Sequence, residues 1–507
     1  MKPLLTKILN VSQIRSLDAF TIENEPVASI DLMERASIAF VKWFTAHFDS
    51  EFSIRIFVGP GNNGGDGLAI GRLLSQEKYK VEIYIPTYDQ DRSKDFLINY
   101  NRLPHNVKRV EINSTKEIEP AKNNTIIIDA LLGSGLNRKP KGIIEDVISY
   151  INQSGFIIIS VDIASGLFAD KHTDHSSIVN PNYTISFQIP KLAFFFPDNS
   201  KYVGNWQLVD IGLSKKFIEE EKTDSYFLNK NFLKSIYKRR DPFAHKGNYG
   251  KALLVSGSYG KMGAAILAAR GCLRSGVGLL TVQVPKKGVE ILQISVPEAM
   301  VVSGKRKKTI SEIDWKEFDI DAIAIGPGIG KEDQTLKTLT SLLTEVKKPM
   351  VLDADALNLI SENPKLLDLI QPNTILTPHF KEFERLVGKS ENDFHRISLL
   401  RNFAKDKKIF IVLKGKHTAI ATPEGDVYFN GTGNPGMATG GSGDVLTGVI
   451  LSLLAQGYEP LHASLFGVYL HGLAGDIAAK KFGEESLLPS DLINYLGNAF
   501  LQINNSY

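Results

Sequence analysis

Chemistry concentrates in the stretch Asn434-Pro-Gly-Met-Ala-Thr-Gly-Gly-Ser-Gly-Asp-Val-Leu-Thr-Gly448, where five of fifteen residues are glycine. It runs into the apolar, small-residue segment 445–455, which predicts a buried helix. A glycine-dense loop opening a helix offers unpaired backbone N–H groups at the positive end of the helix dipole, which suits a phosphate. Asp444 is the odd residue there. A carboxylate belongs beside an anion only if it acts on the substrate. The natural task is that of a base, taking a proton from a hydroxyl while the N–H groups stabilise the phosphoryl group. Aspartate is also a favoured helix cap, and that plainer reading stands beside the first.

A second cluster follows the apolar run 52–58: Gly59-Pro-Gly-Asn-Asn-Gly-Gly-Asp-Gly-Leu68. Its glycines at 59, 61 and 64 satisfy the dinucleotide fingerprint. A hydride-transfer site is nonetheless not expected. The next strand, 81–85, lacks an acid at its end for a ribose, and Asn62, Asn63 and Asp66 stand where a pyrophosphate wants plain backbone. Turn formation is the bland reading of those three residues. Two further strand ends carry acid and glycine: Ile126-Ile-Ile-Asp129 before Gly133-Ser-Gly135, and Ile159-Ser-Val-Asp162 before Ser165-Gly166. In an open parallel sheet ligands bind at the carboxyl ends of strands, so these segments converge on one crevice. Oxygens of Asn63, Asp129 and Ser165 would form a hard-cation site, leaving Asp162 for proton transfer.

The second half repeats the logic without repeating the sequence. Gly257-Ser-Tyr-Gly-Lys-Met-Gly-Ala264 is not a P-loop, because Lys261 precedes methionine and the glycine spacing fails. Further strand ends are Ile325-Gly-Pro-Gly-Ile-Gly330, Leu352-Asp-Ala-Asp355 and Thr377-Pro-His-Phe-Lys-Glu382. Val412-Leu-Lys-Gly-Lys-His-Thr418 puts Lys414 and Lys416 where a polyphosphate would lie.

Positioning these residues takes alternating strands and helices. Helices are predicted over 11–23 and 29–48, and strands over 52–58, 81–85, 125–129, 155–161 and 183–187. Composition changes across 214–250, where the charged segments 215–224 and 238–242 mark a domain junction. A second series follows, with strands over 252–256, 279–284, 322–325, 350–352, 375–376, 409–413 and 419–422 and a helix over 264–274. The expected fold class is α/β, in two three-layer α/β/α domains over 1–215 and 225–507.

Bulk properties exclude whole classes. The 507 residues carry 59 basic and 56 acidic side chains, a net charge of +3, which gives no nucleic-acid or polybasic-membrane signal. The single cysteine, Cys272, excludes an internal disulfide framework and fits a reducing cytosol. No apolar run approaches the ~20 residues of a membrane helix. A soluble, cytoplasmic protein is expected.

Asn62-Asn-Gly-Gly-Asp-Gly67 together with Val161-Asp-x-x-Ser-Gly166 resembles the NAD(P)H-hydrate epimerase domain, over roughly residues 1–215. The resemblance implies a Rossmann-like fold and a loop, Asn62, Asn63, Gly64, Gly65 and Asp66, that binds the substrate phosphates. It implies potassium held by Asn63, Asp129 and Ser165, and substrate contacts from Gly133, Ser134, Gly135, Leu136, Asn137, Arg138, Lys139 and Asp162, the last also catalytic. One departure stands out: Ala164 occupies the position where the family usually has proline, which bears on the potassium geometry.

The 434–448 stretch, with Thr377-Pro-His379-x-x-Glu382, resembles the NAD(P)H-hydrate dehydratase branch of the ribokinase-like superfamily over roughly 225–500. That implies ADP or ATP, with Mg2+, bound by Lys414, Gly415, Lys416, His417, Thr418 and Gly443. It implies hydrate binding by Ala264, Gly328, His379 and Asp444, with Asp444 as catalytic base. For His379 a structural histidine remains the plainer reading. The joint expectation is a repair enzyme for hydrated NADH and NADPH. One domain would interconvert the R and S hydrates, and the other would dehydrate the S hydrate with release of AMP and phosphate. Partners would be small molecules, with no nucleic acid or membrane, and a homo-oligomer is expected. Two rivals are a vitamin-pathway hydroxyl kinase and a first domain serving only as a binding module.

Overall fold

The computed structural model describes residues 5–25, 27–87, 91–121 and 123–504. The chain forms two compact units: Lys7–Thr223 with Asn392–Phe394, and Asp224–Glu391 with His395–Tyr507, to which Thr6 also belongs.

In the amino-terminal unit seven strands form one sheet: Ser53–Val58, Lys80–Pro86, Lys108–Ile112, Thr125–Ala130, Ile157–Val161, Tyr183–Phe187 and Asn205–Val209. Their spatial order is third, second, first, fourth, fifth, sixth, seventh, and every neighbouring pair is parallel. The order reverses between Ser53–Val58 and Thr125–Ala130, which is where a doubly wound sheet opens its ligand crevice. Both faces are covered. Ile54, Ile56 and Val58 pack with Phe40 and Phe44 of the helix Ser29–Thr45 on one side, and Phe57 and Ile127 pack with Ile144 and Ile148 of the helix Ile143–Gln153 on the other. The helix Asn62–Gln76 lies unusually close to the sheet. A Cβ at Gly67 would sit 2.6 Å from the Ala130 Cβ, so only glycine allows the approach.

The carboxy-terminal unit holds an eleven-stranded sheet. Its parallel part runs Met300–Val302, Leu279–Gln283, Lys251–Val255, Ala322–Ile325, Met350–Leu352, Ile375–Leu376 and Phe410–Leu413. Ala419–Ala421 and Val427–Phe429 add antiparallel strands, followed by Ser225–Phe227 and the two-residue strand Thr6–Lys7 at the edge. The helix Ser442–Ala455 is buried nearly throughout, as its small-residue sequence predicts. It packs against the helix Met262–Arg274 at van der Waals range, because a Cβ on Gly448 would meet the Ala268 carbonyl oxygen at 2.0 Å.

Six strands lie outside the sequence expectation: Thr6–Lys7, Lys108–Ile112, Asn205–Val209, Ser225–Phe227, Met300–Val302 and Val427–Phe429. All but Val427–Phe429 are at or next to a sheet edge, where half-exposed side chains leave no continuous apolar run to read. The charged segment at 215–224 contains a short helix, Lys215–Glu220. Among the described residues no helix is long and apolar enough to cross a membrane.

Candidate active sites

In the amino-terminal unit the strand ends and the glycine loop wall a cavity of about 920 Å3. The helix Asn62–Gln76 begins at Gly61 with no side-chain cap, so its first N–H groups face outward at the loop. Asn62, Asn63 and Asp66 line the cavity, as do Gly133, Ser134, Gly135, Leu136, Asn137, Arg138 and Asp162. Gly64 and Gly65 do not line it. They serve packing: a Cβ on Gly64 would lie 1.8 Å from the Gly59 carbonyl oxygen. Lys139 is also outside the lining, drawn to Glu145 at 3.0 Å.

Asn63, Asp129 and Ser165 do come together, around the Leu132 peptide. Asn63 Nδ2 donates to the Leu132 carbonyl at 3.1 Å, and Ser165 Oγ accepts from the Leu132 N–H at 2.8 Å. Asp129 is fully buried and accepts from Ser165 Oγ at 2.5 Å, Ser165 N at 2.9 Å, Ser160 Oγ at 2.7 Å and Leu131 N at 3.3 Å. Burial raises its pKa against the pull of those four bonds. The loop keeps this arrangement with alanine at 164, since the Ser165 N–H anchors it to Asp129. The donor set is all oxygen, with the Leu132 carbonyl as a fourth, and that chemistry suits a hard cation.

Asp162 occupies a different wall. Its backbone is left-handed, φ 63°, which turns the carboxylate onto Phe187 N at 3.1 Å, Ser186 Oγ at 3.2 Å and the ammonium of Lys191. Lys191 is only 2% exposed and also donates to Ser186 Oγ at 2.7 Å. Sequence reasoning missed this lysine. Its signal was present: one cation inside the apolar run Ile189-Pro-Lys-Leu-Ala-Phe. Asp18, from the helix Val11–Asn24, also lines the cavity and was not foreseen.

In the carboxy-terminal unit the loop helix starts at Gly441, φ 103°, and no side chain caps it. Asp444 is therefore not the cap. It sits in the first turn with no hydrogen bond from the described residues, and burial, with Asp353 and Asp355 nearby, pushes its pKa up to about 7 against the pull of Lys414. Lys414 Nζ reaches the fully buried Asp353 at 2.9 Å, and Thr447 Oγ1 donates to the other oxygen of Asp353 at 2.6 Å. A Cβ on Gly443 would come within 3.3 Å of Lys414 Nζ, so the lysine lies against the loop's backbone. Ala264 and Gly328 are neighbours, a Cβ on the glycine meeting the Ala264 Cβ at 3.0 Å.

His379 is the N-cap of the helix Phe380–Val387. Its Nδ1 accepts from the N–H groups of Lys381 and Glu382, while Glu382 accepts from the His379 N–H at 2.9 Å. The ring thus has a structural task, and burial keeps its pKa low. It still stands beside the site, through a parallel bridge to Lys414. His417 faces inward, its Nδ1 on the Asn430 carbonyl at 3.0 Å, and burial lowers its pKa to about 4. Thr418 closes the Lys414–Thr418 turn by donating to the Gly415 carbonyl at 3.0 Å, and Lys416 reaches the Gly433 carbonyl at 3.0 Å. Asp476, also unforeseen, ties down the entry to the loop by accepting from Gly433 N and Asn434 Nδ2, both at 2.9 Å.

The sequence profile described as NAD(P)H-hydrate dehydratase matches residues 252–498, and that described as YjeF-related protein N-terminus matches residues 29–193. The chain is 33% identical over 511 residues to the bifunctional NAD(P)H-hydrate repair enzyme Nnr of Moorella thermoacetica, covering 96% of each. It is 34% identical over 517 residues to the protein of the same name from Thermofilum pendens, covering 99% of this chain and 97% of that one. A crystal structure of ADP/ATP-dependent NAD(P)H-hydrate dehydratase from Bacillus subtilis, co-crystallised with ATP and Mg2+, is similar over 55% of this chain and 98% of its own, at 34% identity and a TM-score of 0.49. With relatives matched end to end at this level, the chain belongs to the bifunctional NAD(P)H-hydrate repair enzymes.

Proposed function

We propose that the chain repairs hydrated NADH and NADPH in two steps, epimerising the hydrates at the amino-terminal cavity and dehydrating the S hydrate at the Asp444 loop. The observation that carries this reading is the uncapped, glycine-rich helix start with an unpaired carboxylate in its first turn beside the Lys414–Asp353 pair. Asp444 takes the proton from the hydroxyl on C6 of the reduced ring, and that oxygen attacks the terminal phosphoryl group of ADP. The N–H groups of the loop and Lys414 hold the charge that develops on the phosphoryl oxygens. AMP leaves; the ring nitrogen then expels phosphate, a proton is lost from the adjacent carbon, and the ring double bond returns. Magnesium would accompany the nucleotide as its counter-ion.

In the amino-terminal cavity Asp162, ion-paired with Lys191, moves the proton on the C6 oxygen. Oxygens of Asn63, Asp129, Ser165 and the Leu132 carbonyl would hold potassium, which would supply positive charge for substrate oxygens without taking the proton. A lone, buried Cys272 suits the cytoplasm as the compartment. The test is to incubate the protein with hydrated NADH and ADP and follow NADH absorbance and free phosphate. Recovery of NADH with release of AMP and phosphate supports the reading; a stable phosphate ester would make the second unit a hydroxyl kinase instead.

A further inference from the structure

The helix Val11–Asn24 presents Ile14, Asp18 and Ile22 to the amino-terminal cavity, at spacings of four residues along one face. Two of the three are apolar, as a wall facing a nicotinamide ring should be. The carboxylate between them makes no hydrogen bond or ion pair with the described residues. It caps nothing, since the helix is capped by Asn10 through a reciprocal bond with Gln13. A half-buried carboxylate with no hydrogen bond or ion pair from the described residues costs stability and has no structural task here, which marks it for chemistry.

The charged groups around it come from every neighbouring element. Asp162 projects from the strand end after Ile157–Val161, Lys191 from the segment after Tyr183–Phe187, and Asp66 from the helix Asn62–Gln76. Arg15 lies one turn earlier on the same helix, against Gly135, and Asp170 binds the Val11 N–H at the helix start. Three carboxyls, Asp18, Asp66 and Asp162, thus share one cavity, and of the three only Asp162 forms an ion pair with Lys191.

We propose that Asp18 is the second acid–base group of the epimerase site, working with the Asp162–Lys191 pair on the oxygen that leaves and returns at the inverted carbon. The proposal rests on the epimerase reading above. Inversion at C6 needs two proton transfers. The C6–O bond breaks with its electron pair on oxygen, Asp18 gives that oxygen a proton, and water departs while the ring nitrogen's lone pair holds the carbon as an iminium. Water then adds from the other face, the C–O bond reforms, and the proton it sheds passes to the Asp162 carboxylate. The proton then passes from Asp162 back to Asp18, and no atom is gained or lost. The environments divide the labour. Lys191 forms an ion pair with the Asp162 carboxylate. Asp18 makes no ion pair with the described residues, and burial, with Asp162 adding to it against the pull of Lys191, lifts its pKa to about 6. Asp66, beside Asp162, Asp18 and Asp95, is raised well above the ordinary carboxyl range, chiefly by burial.

The test compares wild type, Asp18→Asn and Asp18→Glu in the full chain, following one purified hydrate epimer toward the equilibrium mixture across pH 5 to 9. Asp18→Asn should lower kcat for epimerisation on the order of 10²–10⁴-fold with little change in KM, and should lose the fall in rate that wild type shows as pH rises through the Asp18 pKa. Asp18→Glu should recover part of the rate and the pH limb. Dehydratase activity of the same samples reports folding and should be unchanged. Epimerisation by Asp18→Asn within a few fold of wild type, or an unaltered pH limb, overturns the proposal. Failure of wild type itself to epimerise would instead overturn the reading of the site.

Discussion

Lys414 forms an ion pair with the fully buried Asp353, Nζ to Oδ1 2.9 Å, at the point where the loop preceding Ser442–Ala455 meets the strand ends. The pair does two things. It fixes the lysine over Gly443, and it sets a negative charge near Asp444 that raises the basicity of that carboxylate. Asp353→Asn keeps the volume and removes the charge. Losing the like charge lowers the pKa of Asp444, and Lys414, released from its partner, pulls in the same direction. The acid limb of the dehydration profile should therefore move below pH 7, with a higher nucleotide requirement because Lys414 is less fixed. A pH–rate measurement in which neither changes would separate Asp353 from the site.

Asp444→Asn should cut dehydration on the order of 10²–10⁴-fold and leave nucleotide binding nearly intact. It should also alter stability in a pH-dependent way. The folded pKa of about 7 lies above the ordinary 3.8, so the native state favours the protonated acid, and this stability is present at low pH and lost as pH rises toward 7. Each unit of that shift is worth ~1.4 kcal/mol once the group ionises. Asparagine has no such loss. The difference in Tm, variant minus wild type, should be near zero at pH 4 and positive at pH 8; a variant less stable at both would show that Asp444 has a structural role.

Lys414→Ala should raise the nucleotide concentration needed for dehydration and leave epimerisation untouched. Removing Lys414 also leaves the fully buried Asp353 without its counter-charge, at a cost of up to about 3–5 kcal/mol. Thermal denaturation and both assays on one preparation check this; equal loss of both activities would mean the two reactions share a site.

The residues readable from sequence are those whose type conflicts with a bland local environment. Asp444 in a phosphate-type loop and Asp129 and Asp162 at apolar strand ends are such conflicts, and all three lie where the topology predicts. The partners that fix them are not readable in this way. Asp353 belongs with Lys414 across 61 residues of chain, and Asp18 enters the Asp162 cavity from a helix that looks merely amphipathic. Long-range pairing leaves no local pattern. Glycine was legible as loop but ambiguous in purpose: Asn62, Asn63 and Asp66 face the cavity, while Gly64 and Gly65 beside them serve close packing. His379 shows the reverse, a residue whose capping task was invisible until the reciprocal bond with Glu382 was in view.

The last prediction separates the cation site from the proton site. Asp129 accepts four hydrogen bonds, from Ser160, Leu131 and both groups of Ser165, and Ser165 in turn accepts from the Leu132 N–H. Asp129→Asn puts an N–H2 group against some of those donors, so Ser165 and the Leu132 carbonyl lose their positions and a cation held by them binds more weakly. Weaker binding is a mass-action deficit that more potassium offsets. Asp162→Asn leaves that oxygen cluster in place and removes the carboxylate that exchanges the proton, stranding the buried Lys191. Potassium cannot replace a base. Titrating potassium against each variant while following one purified epimer should therefore restore Asp129→Asn in part and Asp162→Asn not at all, with dehydratase activity confirming that each chain is folded. Equal rescue of both variants would reverse the two assignments, and rescue of neither would detach potassium from epimerisation.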